Sequence, residues 1–276
     1  MTEGWFAGIS PDDEEAAATA IRDGSATEPA DWPTRAVDSG FAADTDEYYD
    51  RLQTATVSAA RAAVRDAELS DDQQLIHAIR AMDDCESTAN ELAERVTEWA
   101  GTHYDDAPTG IDGARSIAER TPTTPLETRV IALSGRVAGL ADEAAALRQY
   151  VEQTTPSVAP NLAAMAGPVL AARLIALAGG LESLAKQPSG TVQVLGAEDA
   201  LFAHLQGGAP SPKHGIIYTH EYVRNMPRDN RGSAARALAG KLTIAARVDH
   251  YSGDLRPDLQ TELQERIETI RARDTQ

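Results

Sequence analysis

The sequence contains very little cysteine and lysine. Its 276 residues include one cysteine, Cys85, and only three of its 25 basic residues are lysines. A single cysteine cannot form an internal disulfide framework, so we expect a protein of the reducing cytosol. The first 15 residues are acidic and lack the apolar run of a secretory signal peptide, which agrees with a cytoplasmic location.

Long apolar runs are also missing. The most apolar stretch, residues 162–181, is rich in alanine and glycine and is interrupted by Pro168 and Arg173. A transmembrane helix needs about 20 consecutive, predominantly apolar residues. The sequence therefore predicts a protein that does not associate with membranes.

Motifs that hold metals, phosphates or catalytic nucleophiles are absent. The six histidines are scattered, and no two of them have the spacing that binds one metal ion from a helix face. Gly240-Lys241-Leu242 lies inside a predicted helix and lacks the other residues of a phosphate-binding loop. Adjacent acids at 83–84 and 105–106 are typical of a solvated surface in so acidic a chain. The sequence therefore predicts neither an enzyme nor a cofactor.

The charge is strongly negative overall but unevenly distributed. With 43 acidic and 25 basic residues the net charge is −18, which is typical of a protein adapted to strong brine. Residues 1–71 have a net charge of −11 and residues 72–166 of −8, whereas residues 167–254 have +2 and contain all three lysines. Either this segment is a more buried domain, or it approaches a negatively charged partner such as RNA.

The first 70 residues predict a short N-terminal region. Three prolines and several glycines within residues 1–40 leave little room for long elements. Residues 44–68 are rich in alanine and predict a peripheral helix with a thin apolar stripe.

Residues 71–158 predict an antiparallel coiled-coil arm. A capping-box pattern at 70–73 starts one helix, and Thr124, Pro125 and Glu127 start another. The second helix has apolar residues at alternating spacings of four and three: Leu126, Val130, Leu133, Val137, Leu140, Ala144, Leu147 and Val151. It is roughly 40 Å long at 1.5 Å per residue, and the connector at 102–122 lets the two helices fold back on each other. The alternative is two ordinary helices of a globular bundle.

Residues 159–254 predict a compact helical domain, and residues 255–276 a C-terminal helical tail. The last long helix of the domain, predicted at 233–249, has an apolar face of Leu238, Leu242, Ala245 and Val248. The opposite face is formed by Gly232, Arg236, Gly240, Thr243 and Arg247. Upstream, Arg173 lies in an apolar helix and is expected to pair with a carboxylate such as Glu198.

Four segments of this region carry a family resemblance. Residues 167–186, 191–198, 212–218 and 239–249 resemble the NOP domain in order and spacing. Residues 74–83 and 91–99 resemble the first coiled-coil helix of the same family, and 159–162 resembles its junction. The resemblance covers about residues 72–254, and it is greatest to archaeal, haloarchaeal-type scaffolds of box C/D small ribonucleoproteins.

The resemblance implies a non-catalytic scaffold for RNA-guided ribose 2′-O-methylation of rRNA and tRNA. Its partners would be a box C/D guide RNA with a kink-turn, the small ribosomal-type protein that binds the kink-turn, and fibrillarin. Fibrillarin would supply catalysis with S-adenosylmethionine, and the scaffold itself needs no cofactor. The coiled coil would pair with a second copy, through the seam residues Val130, Leu133, Val137, Leu140 and Leu147.

Residues expected to contact RNA or its bound protein lie in three places. The loop contributes Gly196, Ala197 and Glu198, where Asp199 replaces the lysine that the family has next. The second segment and the approach to the last helix contribute Lys213, His214, Tyr218, His220, Arg224, Arg228 and Arg231. The last helix contributes Arg236, Lys241 and Arg247.

Two departures from the family pattern leave other functions open. The family's N-terminal domain, which holds fibrillarin, is longer than the 70 residues that precede the arm here. With Asp199, this leaves open a dimeric coiled-coil adaptor that joins proteins without touching RNA. A splicing-type NOP protein is disfavoured by the haloarchaeal charge pattern.

Overall fold

The structure is a computed structural model that describes residues 4–26 and 28–272. Every regular element in these residues is a helix, which confirms the predicted mainly α fold. The chain divides into two compact units, Met1–Ser70 and Asp71–Gln276. The boundary between them lies where the sequence predicts the arm to begin.

The first unit consists of three helices around a small aromatic core. The helices are α1 (Glu14–Asp23), α2 (Trp32–Asp38) and α3 (Thr45–Glu68), and an aspartate caps the start of each. Phe6, Phe41 and Tyr48 are buried together, and Trp5 Nε1 donates a hydrogen bond to Tyr48 Oη at 3.3 Å. The helix predicted at 44–68 is therefore confirmed as α3, and its first turn contributes to a core.

The second unit begins with the predicted arm. It consists of α4 (Asp71–Ala100), α5 (Gly110–Ala118) and α6 (Pro125–Val158). The start of α4 packs near the end of α6, so the two helices are antiparallel. The capping box predicted at 124–127 is present: Glu127 N donates to Thr124 Oγ1 at 3.1 Å, and the Glu127 carboxylate accepts from Thr124 N at 3.3 Å.

The apolar seam of α6 is largely used inside the chain's own arm. Val130 and Val137 are fully buried in a cluster with residues of α4 and α5, and Leu133 packs against it half-buried. Leu147 packs half-buried against the main core, and Leu140 is half-exposed. Self-association stays a prediction, and because Val130 and Val137 face their own chain, it requires other side chains of the arm.

A compact helical domain follows, built around α13. Its elements are α7 (Pro160–Ala166), α8 (Pro168–Ala178), α9 (Leu181–Lys186), α10 (Ser189–Val194), α11 (Glu198–Leu205), a 3-10 turn (Ile216–Thr219), α12 (Glu221–Arg224), α13 (Arg231–Tyr251) and α14 (Asp258–Ala272). Helices α7, α9, α10, α12 and α14 all pack on α13. The segment expected as a tail forms α14, which buries Leu259, Leu263, Ile267 and Ile270 in the same core.

Polar contacts join the base of the arm to this domain. Arg173 of α8 forms an ion pair with Asp83 of α4, with 3.1 Å between Nε and Oδ2, and the carboxylate raises the pKa of the guanidinium. The prediction that Arg173 pairs with Glu198 was wrong. Helix α4 lies directly beside α8, whereas the Glu198 carboxylate accepts a hydrogen bond within its own loop. Arg80 also donates to the Ala176 carbonyl at 3.2 Å, at the end of α8.

A helix that crosses a membrane must be both long and apolar. Across residues 4–26 and 28–272, no single helix is both long and apolar enough to cross a bilayer. Helices α7 and α8 meet those requirements only when taken together, and they meet at a bend of 119°.

Candidate nucleic-acid interface

The fold brings together two of the sequence segments expected to contact RNA. Gly215 N donates to the Gln193 carbonyl at 2.9 Å, and Ile216 N donates to the Leu195 carbonyl at 2.7 Å. A side chain at position 215 would lie 2.0 Å from the Leu195 carbonyl oxygen, so only glycine permits this approach. The loop that starts at Gly196 therefore lies beside the segment that contains His214 and Tyr218.

An aromatic and cationic cluster forms where this segment meets the start of α13. The rings of His214 and Tyr218 stack with 4.7 Å between centroids, and the Arg231 guanidinium lies 5.4 Å from the Tyr218 centroid. Arg231 Nε donates to the Met226 carbonyl at 3.0 Å, which fixes the orientation of the guanidinium. The Lys213 stem runs beside Gly232 of α13. We call Lys213, His214, Tyr218 and Arg231 the Tyr218 cluster.

The Tyr218 cluster carries positive charge without a carboxylate partner. Among residues 4–26 and 28–272, no acidic group lies within ion-pairing distance of Lys213 or Arg231. Partial burial, and secondly the charge of Arg231, lowers the pKa of His214, so its ring is neutral at physiological pH. A flat neutral ring flanked by two cations suits a stacked base next to a phosphate.

Two further arginines extend this positive surface. Arg224 ends α12 and Arg228 lies in the turn before α13, and both side chains are exposed. In the part of the chain that the structure describes, neither forms an ion pair. The prediction that Arg224 and Arg228 contact RNA is therefore compatible with the structure, since both side chains are accessible to a phosphate.

The last-helix cations differ in their surroundings. Arg236 and Arg247 are exposed on α13, and Arg247 Nε donates to the Ala185 carbonyl at 3.1 Å. Lys241 is half-buried and forms an ion pair with Glu262 of α14. Its assignment as an RNA contact is therefore not supported by the structure, because the charge already has a partner.

The exposed stripe of α13 differs from the predicted face at one position. Thr243 is buried, and its Oγ1 donates to the Ala239 carbonyl at 2.8 Å. Ile244, which is 40% exposed, occupies the outward position between Gly240 and Arg247. Spacings of four and three fit a helix face in either order, so sequence periodicity alone cannot distinguish positions 243 and 244.

Both ring nitrogens of His220 are used within the fold. Its Nδ1 accepts a hydrogen bond from Tyr222 N at 3.1 Å, capping α12, and its Nε2 lies 3.1 Å from the Met165 carbonyl. Since Nδ1 accepts, Nε2 carries the proton and donates to that carbonyl. Burial lowers the pKa of His220, which keeps the ring neutral. Neither nitrogen is available to RNA, so a hydrogen bond from His220 to RNA is excluded, whereas stacking of its half-buried ring on a base stays a prediction.

The loop at 196–199 is a tight turn with acidic side chains outside. Gly196 has a φ of 81°, and its N–H donates to Glu198 Oε1 at 2.8 Å. A side chain at Gly196 would lie 3.2 Å from Ile216 Cβ, which is why the loop packs closely there. Ala197 precedes α11 and is half-buried, whereas Glu198 and Asp199 are exposed in its first turn. The structure thus places an acidic edge beside the Tyr218 cluster.

Sequence reasoning missed two features of this surface. Helix α11 has no buried residue, and it exposes 64% of Phe202 and 74% of Leu205. The sequence carried a signal for this exposed apolar surface: three large apolar residues, Leu201, Phe202 and Leu205, lie beside acidic residues. The other is the position of Arg231 over Tyr218, which depends on a contact between residues 13 positions apart.

Comparison with known proteins agrees with the sequence resemblance. The model of the Nop family, described as "snoRNA binding domain, fibrillarin", matches residues 114–270. The match therefore begins within the arm and extends through most of α14, beyond residue 254 where the resemblance noted above ends.

Relatives and a solved structure are similar over much of the chain. An uncharacterised NOP5 family protein of Methanocaldococcus jannaschii is 33% identical over 270 residues, covering 84% of this chain and 65% of that protein. Nucleolar protein 56 of Saccharomyces cerevisiae is 34% identical, covering 70% of this chain and 46% of that protein. Nucleolar protein 58 of Schizosaccharomyces pombe is 34% identical, covering 66% and 43%. The chain thus spans less than two thirds of each of these relatives.

The similarity in fold extends over nearly the whole chain. A chain in the crystal structure of a fibrillarin/Nop5p complex superposes with a TM-score of 0.54 at 22% identity, covering 98% of this chain and 99% of that one. At this identity the likeness supports the fold.

Proposed function

The chain belongs to the Nop family, and from this premise we propose that it is a scaffold of box C/D small ribonucleoprotein particles. It binds a kink-turn guide RNA together with the small ribosomal-type protein that already occupies the kink-turn. It tethers fibrillarin, which methylates ribose 2′-hydroxyls of rRNA and tRNA with S-adenosylmethionine. The chain itself has no catalytic role and works in the archaeal cytosol.

The observation that supports this proposal most is the Tyr218 cluster. In a chain with a net charge of −18, carboxylates are plentiful, and most ion pairs within residues 4–26 and 28–272 lie on the arm and in the first unit. Lys213 and Arg231 nevertheless lie beside two stacked rings, and no carboxylate in the described part of the chain pairs with either of them. Unpartnered cations next to a stacking platform are what looped RNA requires.

The ionic strength determines which interactions contribute to binding at this surface. At molar ionic strength the screening length is only about 3 Å, so bulk positive charge contributes little to affinity. Direct contacts, base stacking and a protein partner must supply the rest. Binding is therefore expected to depend on the kink-turn protein.

The acidic edge of the loop fits contact with that protein better than contact with RNA. Glu198 and Asp199 are exposed beside the cluster, where they would repel a phosphate. We assign this edge, with the adjacent exposed side chains of α11, to the contact with the kink-turn protein.

Fibrillarin and self-association belong to the other parts of the chain. We assign fibrillarin to the first unit, since the proposal leaves that unit no RNA contact. We assign pairing with a second copy to the arm, through side chains other than the buried Val130 and Val137.

A gel shift at molar potassium chloride tests the proposal. The probe is a box C/D kink-turn RNA, with and without the kink-turn-binding protein. We expect a supershift only when that protein is present. If a folded protein gives no supershift with the kink-turn protein present, or binds the RNA tightly at molar salt without it, joint binding to the RNA and the kink-turn protein is wrong. The absence of a supershift would favour the protein-only adaptor.

Matched variants locate the surface. Arg236→Glu with Arg247→Glu should abolish the supershift, while Arg61→Glu with Arg65→Glu, the same charge change on exposed positions of α3, should leave it intact. Lys241→Ala should have a smaller effect than Arg236→Ala, because Glu262 already neutralises Lys241.

A further inference from the structure

The joint between the arm and the domain contains a buried polar network. Helix α6 ends at Val158, the backbone of Ala159 leaves the helical region, and Pro160 starts α7. At this break the carboxylate of Asp249, near the end of α13, accepts three hydrogen bonds from the first turn of α7. They come from Asn161 N at 2.9 Å, Asn161 Nδ2 at 2.6 Å and Leu162 N at 2.9 Å.

Asn161 joins the segment after α13 to the same point. Its Nδ2 donates to the Asp254 carbonyl at 2.9 Å, and its Oδ1 accepts from Arg256 N at 2.6 Å. The side chain thus uses both N–H groups and its oxygen. The end of the arm, the end of α13 and the turn leading to α14 therefore meet at a single asparagine.

The way in which the Asp249 charge is satisfied makes the joint specific. Asp249 is only 7% exposed, and no cation within residues 4–26 and 28–272 lies within ion-pairing distance of it. Its charge is balanced by N–H groups that the first turn of α7 cannot satisfy within the helix. A buried, fully satisfied network tolerates one geometry, since any rotation of α7 leaves a donor or an oxygen without a partner.

We propose that Asp249 is a positioning residue that fixes the direction of the arm relative to α13. Helix α13 carries Arg231, Arg236 and Arg247, so the joint sets where the positive surface points with respect to the arm. The functional consequence rests on the proposed function: two chains paired through their arms would present two RNA surfaces at a set separation.

Distance measurements between spin labels test this inference without RNA or partners. One label is placed on the arm by Glu143→Cys and one on α14 by Glu265→Cys, both exposed positions, in a Cys85→Ala background. Labelled chains are diluted with unlabelled protein so that only distances within one chain are measured. A reference pair within the domain uses Ser189→Cys with Glu265→Cys.

The parent protein should give one narrow arm-to-domain distance. Asp249→Asn, which replaces an acceptor with a donor facing N–H groups, should broaden or shift that distance and leave the reference pair unchanged. Asp254→Asn removes the same charge from an exposed side chain at the same joint and should match the parent. An unchanged arm-to-domain distance, or equal broadening of both pairs, overturns the proposal.

A second variant keeps the inference testable if Asp249→Asn does not fold. Asn161→Ala keeps the two backbone bonds to Asp249 and removes the three side-chain bonds, so it should also broaden the arm-to-domain distance. If Asp249→Asn does not fold and Asn161→Ala leaves the distance narrow, the inference is wrong. Because RNA is absent, this failure is distinguishable from a failed supershift.

Discussion

The charged side chains at the two ends of α13 have opposite surroundings. Among the residues that the structure describes, Arg231 at its start lies over Tyr218 with no carboxylate partner, and Asp249 at its end is buried with no cation beside it. The Tyr218 ring and the Met226 carbonyl lie against the first charge, whereas backbone and amide N–H groups satisfy the second. The first charge is therefore available to a ligand, and the second is committed to the fold.

This comparison explains why net charge is a poor guide to binding in this chain. Lys241 lies between the two ends and is already neutralised by Glu262. Three charges on one helix thus have three different roles, and only their surroundings distinguish them.

The largest effect is expected at the buried end. Asp249→Ala leaves three donors of α7 without an acceptor, so the free energy of unfolding should fall by about 3 kcal/mol. Chemical denaturation in molar potassium chloride measures this loss. Asp254→Ala, at an exposed side chain beside it, should change stability little, and equal losses in the two variants would contradict the comparison.

A substitution at the start of α13 should affect binding rather than stability. Arg231→Ala removes a positive charge and the guanidinium over Tyr218, so affinity for the RNA and kink-turn protein together should fall by about tenfold. Arg231→Lys retains the charge but not the planar group and should give an intermediate loss. Arg61→Ala on α3 is the matched control. An unaltered affinity in titrations with Arg231→Ala would remove the Tyr218 cluster from the binding surface.

The smallest effect concerns the pKa of His214. Burial lowers it first and the Arg231 charge second, so Arg231→Gln should raise this pKa toward the ordinary histidine value of about 6.5. A proton NMR titration of the histidine rings measures the change, with Arg61→Gln as control. A pKa that does not move would show that Arg231 is not close to the ring in solution.

The same lowered pKa has a consequence for stability. The folded state holds fewer protons on His214 and His220 than the unfolded state near pH 6. Their contribution to stability is therefore present above about pH 6.5 and is lost as the pH falls toward their folded pKa values. The melting temperature should decrease over that interval, and less so in a His214→Gln variant.

Local rules were sufficient for much of the helical framework. Thr124, Pro125 and Glu127 specify the start of α6, because the cap is made by atoms a few residues apart. Alternating spacings of four and three likewise predicted the antiparallel arm. Contacts between distant residues were beyond such rules: Arg173 pairs with Asp83 rather than Glu198, and Thr243 is buried where Ile244 is exposed.

The candidate site divides in the same way. The distribution of charge identified the cation-rich segment, and the family resemblance indicated Lys213, His214, Tyr218 and Arg231, which the fold brings together. They did not show that His220 caps α12 or that Lys241 is paired. Both depend on which group from another part of the chain lies within hydrogen-bonding distance.

The sequence by itself determined the helices, the arm and the segment freed from acidic excess, because these follow from capping, periodicity and composition along the chain. Only the tertiary structure decided which charges stay open and which are used in the fold. A charge is stabilised by whatever lies within a few ångströms of it. For Arg231 that is an aromatic ring and the Met226 carbonyl, and for Asp249 it is the start of a helix 88 residues away in the chain.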